Sequence, residues 1–275
     1  MSNCNNCPSK DSCSKPAESC GIENNPLNNI KNVIGVMSGK GGVGKSTISY
    51  VIAKQLNKEG YRVGILDADI TGPSIPRLAG IREERARMKN DLIQPVETKD
   101  GIKVISFNLL VDDESQPVLW RGPLISSAVK QFWLDTFWGD LDYLIIDMPP
   151  GTADVAITIM QSIPINGLVM VSVPQDMVSM IVAKAVNMAK KLDIKILGVI
   201  ENMSYIICPC CENKIRLFNS ENTDTMIEEL DLELLGEIPM IEAVSNIPSK
   251  GYDDNDEALD NIFKPIVGNI RSLLK

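Results

Sequence analysis

Histidine is absent from all 275 residues. Imidazole is therefore excluded as a catalytic base and as a metal ligand. No apolar run reaches the roughly eighteen residues that a membrane-spanning helix needs. The first residues are polar and rich in cysteine, so the apolar core of a signal peptide is missing; the expected location is the cytoplasm. Positive charge is in deficit: 27 Lys and Arg face 36 Asp and Glu, for a net charge of −9 and a pI near 4.7. That balance argues against general binding to nucleic acid or to anionic membranes, and neither is expected as a partner.

What remains is ordinary for a globular chain: 44% apolar and 23% charged residues. The length suits one large α/β domain. Two regions are expected. Residues 1–30 hold many Asn, Ser, Cys and Lys and almost no large apolar residues, so they cannot bury a core and depend on a metal for order. Residues 31–275 read as one domain.

In that domain short apolar runs alternate with helical stretches. "NVIGVM", "RVGILDAD", "IKVISFN", "LDYLIID", "GLVMVSVP", "KILGVIENM" and "LELLGEIP" read as buried strands. "TISYVIAKQLNKEG", stopped at Gly60, "SSAVKQFWLDTFW" and "MVSMIVAKAVNMAKKLD" read as helices. Runs of this kind predict a three-layer, doubly wound, mostly parallel sheet covered on both faces. Residues 82–91, "REERARMKND", read as a solvated helix face or a mobile loop. The last stretch, "ALDNIFKPIVGNIRSLLK", reads as a helix packed on the core and interrupted by Pro265.

"SGKGGVGKST" carries the first chemistry. Gly39-x-x-x-x-Gly44-Lys45-Ser46 matches a Walker A loop, with a strand before it and a helix after it. Gly39, Gly41, Gly42 and Gly44 let the backbone turn tightly, and the N–H groups of Gly39 to Thr47, Val43 among them, can be aimed at phosphate. Lys45 is expected on the β- and γ-phosphates, and the Ser46 hydroxyl on Mg²⁺. Asp147 ends the "LDYLIID" strand, as a Walker B carboxylate does. Asp67 and Asp69 end the neighbouring strand. Carboxylates there face the ligand crevice of a parallel sheet. Asp69 is the candidate for orienting the attacking water, and Asp67 is placed near the magnesium.

Lys40 is a second lysine in the loop. "GKGGVGKST" resembles the deviant Walker A motif of the MinD/ParA-type ATPases. That resemblance implies that Lys40 reaches across a dimer to the partner's nucleotide, adding positive charge where a transferring phosphoryl group is most negative. The similarity is closer to the Mrp/ApbC-type iron–sulfur cluster carriers. "VGILDADITGPSIPRL", "DYLIIDMPPGTAD", "GVIENMS" and a following Cys-Pro-x-Cys occur in that order, over roughly residues 30–250. The resemblance implies a P-loop ATPase that binds ATP and Mg²⁺ as a homodimer and hands a cluster to apo iron–sulfur proteins. It places Asn202 against the adenine.

Seven cysteines fall in two groups. An odd number in a cytoplasmic chain argues for metal or redox chemistry over a disulfide framework. In Cys208-Pro209-Cys210-Cys211 the outer pair forms a C-x-x-C turn that can bind one face of a metal centre. A 4Fe–4S cluster takes four thiolates, which two copies of such a pair supply, and the family resemblance implies this bridging cluster. Half a zinc site, a redox disulfide and a structural turn are the competing readings, and Cys210 has no counterpart in the family pattern. Cys4-x2-Cys7-x5-Cys13-x6-Cys20 can hold a second cluster or a zinc ion, or no metal. In relatives with an N-terminal cluster motif the fourth cysteine lies upstream of the C-x2-C-x5-C portion, whereas Cys20 lies downstream.

Two other functions compete. A MinD/ParA-like positioning ATPase would need a surface contact, for which the C-terminal amphipathic stretch is the only candidate, and it would leave the cysteines idle. An ATP-driven electron donor resembling the nitrogenase iron protein would need a cysteine just after the Walker B strand, but residues 148–207 contain none.

Overall fold

The computed structural model describes residues 22–274 except 71, 112–121, 153, 175, 217–224 and 226, and leaves aside the side chains of 176–179. Cys4, Cys7, Cys13 and Cys20 lie outside the described residues.

Eight strands form one sheet. They are β1 (Asn29–Ser38), β2 (Val63–Asp67), β5 (Val96–Glu97), β6 (Lys103–Ile105), β7 (Asp140–Asp147), β8 (Gly167–Ser172), β9 (Ile196–Glu201) and β12 (Leu234–Glu237). The spatial order is β12-β9-β8-β1-β7-β2-β6-β5. Every pairing is parallel except the edge pair β5–β6. All residues of β2 and β8 are buried, so both faces of the sheet are covered, as the unbroken apolar runs require. The α/β doubly wound reading holds.

The helices are α1 (Lys45–Lys58), α2 (Ile75–Leu78), α3 (Gly122–Leu134), α4 (Asp154–Ser162), α5 (Asp176–Lys191), α6 (Glu242–Ser245), α7 (Ile247–Lys250) and α8 (Glu257–Leu274). Helix α1 ends ahead of Gly60, whose φ of 88° is left-handed. Helix α8 corrects one expectation: Pro265 does not interrupt it. A proline inside a helix costs about 3 kcal/mol. Here it sits on the exposed side, while Leu259, Phe263, Ile266, Val267 and Ile270 are buried against the core and offset that cost. The same burial removes the apolar face that a surface-seeking helix would need. No helix among the described residues is long and apolar enough to cross a membrane.

Residues 82–91 also differ from expectation. Strands β3 (Arg87–Lys89) and β4 (Leu92–Gln94) form a hairpin closed by Asn90 and Asp91, both at positive φ, 51° and 60°. Two left-handed residues are what a two-residue hairpin of type I′ demands. Ahead of β1, Asn25 donates to the Leu134 carbonyl, Asn28 donates to that of Thr136, and Trp133 donates to that of Glu23. Residues 23–28 are thus tied to the N-terminal edge of the sheet, a strand length away from the loop that follows β1.

Two predictions come from this frame. Gly198 has φ of 147°, and a β-carbon there would run into the Glu233 carbonyl oxygen and Leu235. Gly198→Ala should cost about 2–4 kcal/mol in urea unfolding, from backbone strain and overpacking together. Asp142 accepts hydrogen bonds from Arg62 and lies 2.8 Å from Lys31. The Arg62 side chain first, then Lys31, holds its carboxyl well below the usual carboxylate range. A depressed carboxyl adds stability above its unfolded value near about 4, and that stability fades as pH falls through the folded value. Asp142→Asn should therefore unfold at lower urea than the wild type at pH 6, and the gap should narrow steadily below about pH 4.

Candidate nucleotide site and thiol hairpin

Strand β1 delivers its C-terminal end to the middle of the sheet, between β7 and β8. The loop from Gly39 then turns into α1. Gly42 and Gly44 take positive φ, 81° and 88°. Gly44 is doubly constrained, because a β-carbon there would collide with the Asn202 amide. Val43 is 1% exposed and plugs the loop into the core. Gly39 packs on Ile181, and Ser38 Oγ donates to the Lys40 carbonyl at 3.0 Å.

Beneath the loop, Asp147 gathers three partners. Lys45 Nζ donates to Oδ1 at 2.8 Å, and Ser46 Oγ donates to Oδ2 at 2.5 Å. Ser49 Oγ lies 2.8 Å from Oδ1 and 3.0 Å from the Lys45 carbonyl. Asp147 is fully buried, so its charge needs the ammonium and the hydroxyls. Asp67 is its register partner on β2. Asp67 is also fully buried; it accepts from the backbone N–H groups of Asp69 and Ile75 and from Ser106 Oγ. Burial first, then the Asp147 charge, pushes the Asp67 carboxyl above the usual range, against the pull of Lys45. Asp69 Oδ2 lies 3.7 Å from Lys45 Nζ.

A cavity of about 410 Å³ opens above this cluster. Its lining includes Lys40, Gly41, Gly42, Gly44, Lys45, Ser46, Thr47 and Asp69. The loop residues and the three aspartates are thus brought to one place. Asn202 stands behind the loop: its Nδ2 donates to the Val43 carbonyl at 2.8 Å and its Oδ1 accepts from Met203 N–H at 3.0 Å. In this geometry the amide supports the loop from beneath. Among the lining residues that escaped the sequence reading are Ser74, Arg77 and Pro248. "PSIPRL" carried a signal for the first two, because a serine followed by proline in the first turn marks a helix start and sets Arg77 one position further on. Pro248 carried none, since it arrives from α7, far along the chain. The donor set of one hydroxyl and buried carboxylates below a cradle of amides suits Mg²⁺ and phosphate.

The late cysteines sit on a separate hairpin, β10 (Ile206–Ile207) paired antiparallel with β11 (Lys214–Ile215). Cys208 N–H donates to the Asn213 carbonyl, and Glu212 N–H donates to the Cys208 carbonyl, both at 2.9 Å. Glu212 takes a φ of 58° to close the turn. Cys208 is half-buried, while Cys210 and Cys211 are exposed. The backbone N–H groups of Cys210 and Cys211 point at the Cys208 sulfur and hold its thiol below the ordinary cysteine value. Such a knuckle stabilises a thiolate. Among the described residues no group of three or more Cys, Asp or Glu side chains converges to hold a metal ion.

Comparison with known proteins agrees with this geometry. The family model for the ParA group, described as NUBPL iron-transfer P-loop NTPase, matches residues 29–271. An iron–sulfur cluster carrier protein of Clostridium perfringens is 48% identical, over 96% of this chain and 99% of its own length. One from Methanocaldococcus jannaschii is 44% identical, over 86% of this chain and 83% of its own. Among solved structures, a nucleotide-binding protein of Archaeoglobus fulgidus in complex with ADP superposes with a TM-score of 0.70 at 39% identity, covering 80% of this chain and 86% of that one. The cell division ATPase MinD of Pyrococcus furiosus shares the fold, with a TM-score of 0.62 at 18% identity, over 88% of this chain and 99% of that one. By its matched span, its loop and its relatives, the chain belongs to the NUBPL-type iron-transfer P-loop NTPases of the ParA group.

Proposed function

We propose that this protein is an ATP-binding and ATP-hydrolysing carrier of iron–sulfur clusters, working as a homodimer and handing its cargo to apo iron–sulfur proteins. The observation that carries the reading is the thiol knuckle at Cys208 to Cys211, presented on the hairpin that follows β9, at the same C-terminal end of the parallel strands as the nucleotide loop. Each chain offers two outer thiolates, Cys208 and Cys211, and a 4Fe–4S cargo takes four. Two chains facing each other satisfy it. Cys210, exposed beside the pair, is a spare thiol in this scheme.

At the nucleotide site the loop amides and Lys45 hold the phosphates of ATP. Ser46, hydrogen-bonded to Asp147, would hold Mg²⁺, which would neutralise phosphate charge. Asp69, on the cavity wall, orients the attacking water. Lys40 extends from the loop toward the partner's nucleotide and adds the charge that a single chain lacks. Nucleotide and cargo then share one interface, and their binding equilibria are linked. Cys4, Cys7, Cys13 and Cys20 form a second thiol set. Residues 23–28 are held at the opposite end of the parallel strands from the hairpin.

Two experiments test this. Anaerobic reconstitution with iron and sulfide should load the wild type, whereas Cys208→Ala/Cys211→Ala should lose about four irons per dimer and keep nucleotide affinity. A double variant that retains all its iron would refute the bridging site. Lys40→Ala should bind ATP within a few-fold of the wild type yet hydrolyse it at least about 100-fold more slowly, as expected when a charge aimed at the transition state is removed. Unchanged hydrolysis would take Lys40 out of the chemistry.

A further inference from the structure

The hairpin that carries the thiols begins a few residues after Asn202, whose side chain touches the nucleotide loop. Asn202 is 5% exposed and holds the Val43 carbonyl of the loop. Its own N–H donates to the Ser172 carbonyl at the end of β8. Met203 turns the chain with a φ of 54°. Ser204 is buried, its N–H donates to the Ile238 carbonyl, and the chain then enters β10.

The returning strand meets the same point. Ser204 Oγ lies 2.6 Å from Glu201 Oε2 and 2.9 Å from Glu237 Oε1. A hydroxyl has one proton, so it cannot satisfy two carboxylates at once. The balance comes from Arg216, which follows β11. Its Nη2 lies 2.6 Å from Glu237 Oε1, while its Nη1 lies 3.3 Å from Ser204 Oγ and 3.7 Å from Glu201 Oε2. Lys214, two residues earlier and on the same strand face, lies 3.6 Å from Glu237 and 4.1 Å from the centre of the Tyr205 ring. Glu201 and Glu237 end β9 and β12, which are adjacent in the sheet. Without a cation between them two carboxylates at these strand ends repel, and the Glu201 side chain, 3% exposed, would bear the full cost of burial. Arginine suits the place because its planar fork reaches both carboxylates from one side.

We propose that Arg216 is a positioning residue that clamps the returning strand of the thiol hairpin to the Glu201–Ser204–Glu237 knot, so that a shift of the nucleotide loop, passed through Asn202, moves both hairpin strands as one body. With the clamp, loop and thiols move together. Without it, the returning strand is held only by its pairing with β10, and the turn bearing Cys208 and Cys211 loses its second anchor. The consequence for cargo rests on the carrier function proposed above; the mechanical coupling does not.

Hydrogen exchange of amides 206–216 is the readout, measured on cargo-free protein with and without Mg·AMP-PNP. In the wild type nucleotide should change exchange by about fivefold or more, the lower end of couplings between linked sites. In Arg216→Ala the change should be lost at the amides of the turn and returning strand, 208–216, and persist at 206 and 207, while AMP-PNP affinity stays within about twofold of the wild type. Arg216→Lys, able to reach Glu237 but not to fork to Glu201, should retain a smaller response. Three results would overturn the proposal: a wild-type hairpin indifferent to nucleotide, a full response in Arg216→Ala, or a loss of nucleotide affinity in that variant, which would make Arg216 a general structural residue. Iron loading of the same wild-type preparation keeps the two ideas apart. A responsive hairpin that takes up no cluster sinks the carrier reading and leaves the clamp standing.

Discussion

The carboxylate of Asp147 has no contact with solvent, and around it the nucleotide loop is organised. Lys45, Ser46 and Ser49 all come from the first turns of α1 and all converge on it. A buried charge is tolerated only when it is paired and hydrogen-bonded. Meeting that demand draws the helix start to the end of β7 and sets the direction of the loop. Asp67 lies alongside on β2, and Lys45, paired with Asp147, also counters the Asp67 charge. The site is therefore built under electrostatic tension: two buried acids side by side, a lysine paired with one of them, and serine hydroxyls on both. A doubly charged cation and a polyphosphate are the ligands that such a cradle accommodates.

The second feature of the molecule is that its thiols stand apart from this cluster and yet follow closely on Asn202, which touches the loop. Strand β9 ends in Glu201, Asn202 braces the loop, and the hairpin begins directly afterwards. A pair of thiols alone leaves an iron–sulfur cluster half ligated. The same holds for the nucleotide pocket if Lys40 serves a neighbouring chain. On the proposed function both sites have one reason to seek a second copy, and both lie at the C-terminal ends of the parallel strands. The fold is common to proteins as distant as MinD.

Much of this was legible in the residues. Buried parallel strands are nearly continuous apolar runs, so β1, β2, β7, β8 and β9 were readable, and the loop glycines carry their own conformational signature. The hairpin at 87–94 was missed because three-residue strands are too short to show alternation, although Asn90-Asp91 was a usable turn signal. Pro265 misled because propensity yields to packing when five large side chains of one helix are buried. Asn202 is expected against the base from the family resemblance alone, and its hydrogen bond to the Val43 carbonyl is a second role that no local sequence pattern displays. Arg216 could not have been found, because its partners lie on strand ends that only the folded sheet brings together.

Native mass spectrometry of the anaerobically reconstituted wild type is the most direct test of the central claim, that two chains share one cluster through Cys208 and Cys211. The account predicts a species of two chains and one 4Fe–4S cluster held at these cysteines, which falls to single chains when a chelator removes the iron. A single chain carrying a complete cluster at these cysteines would contradict it.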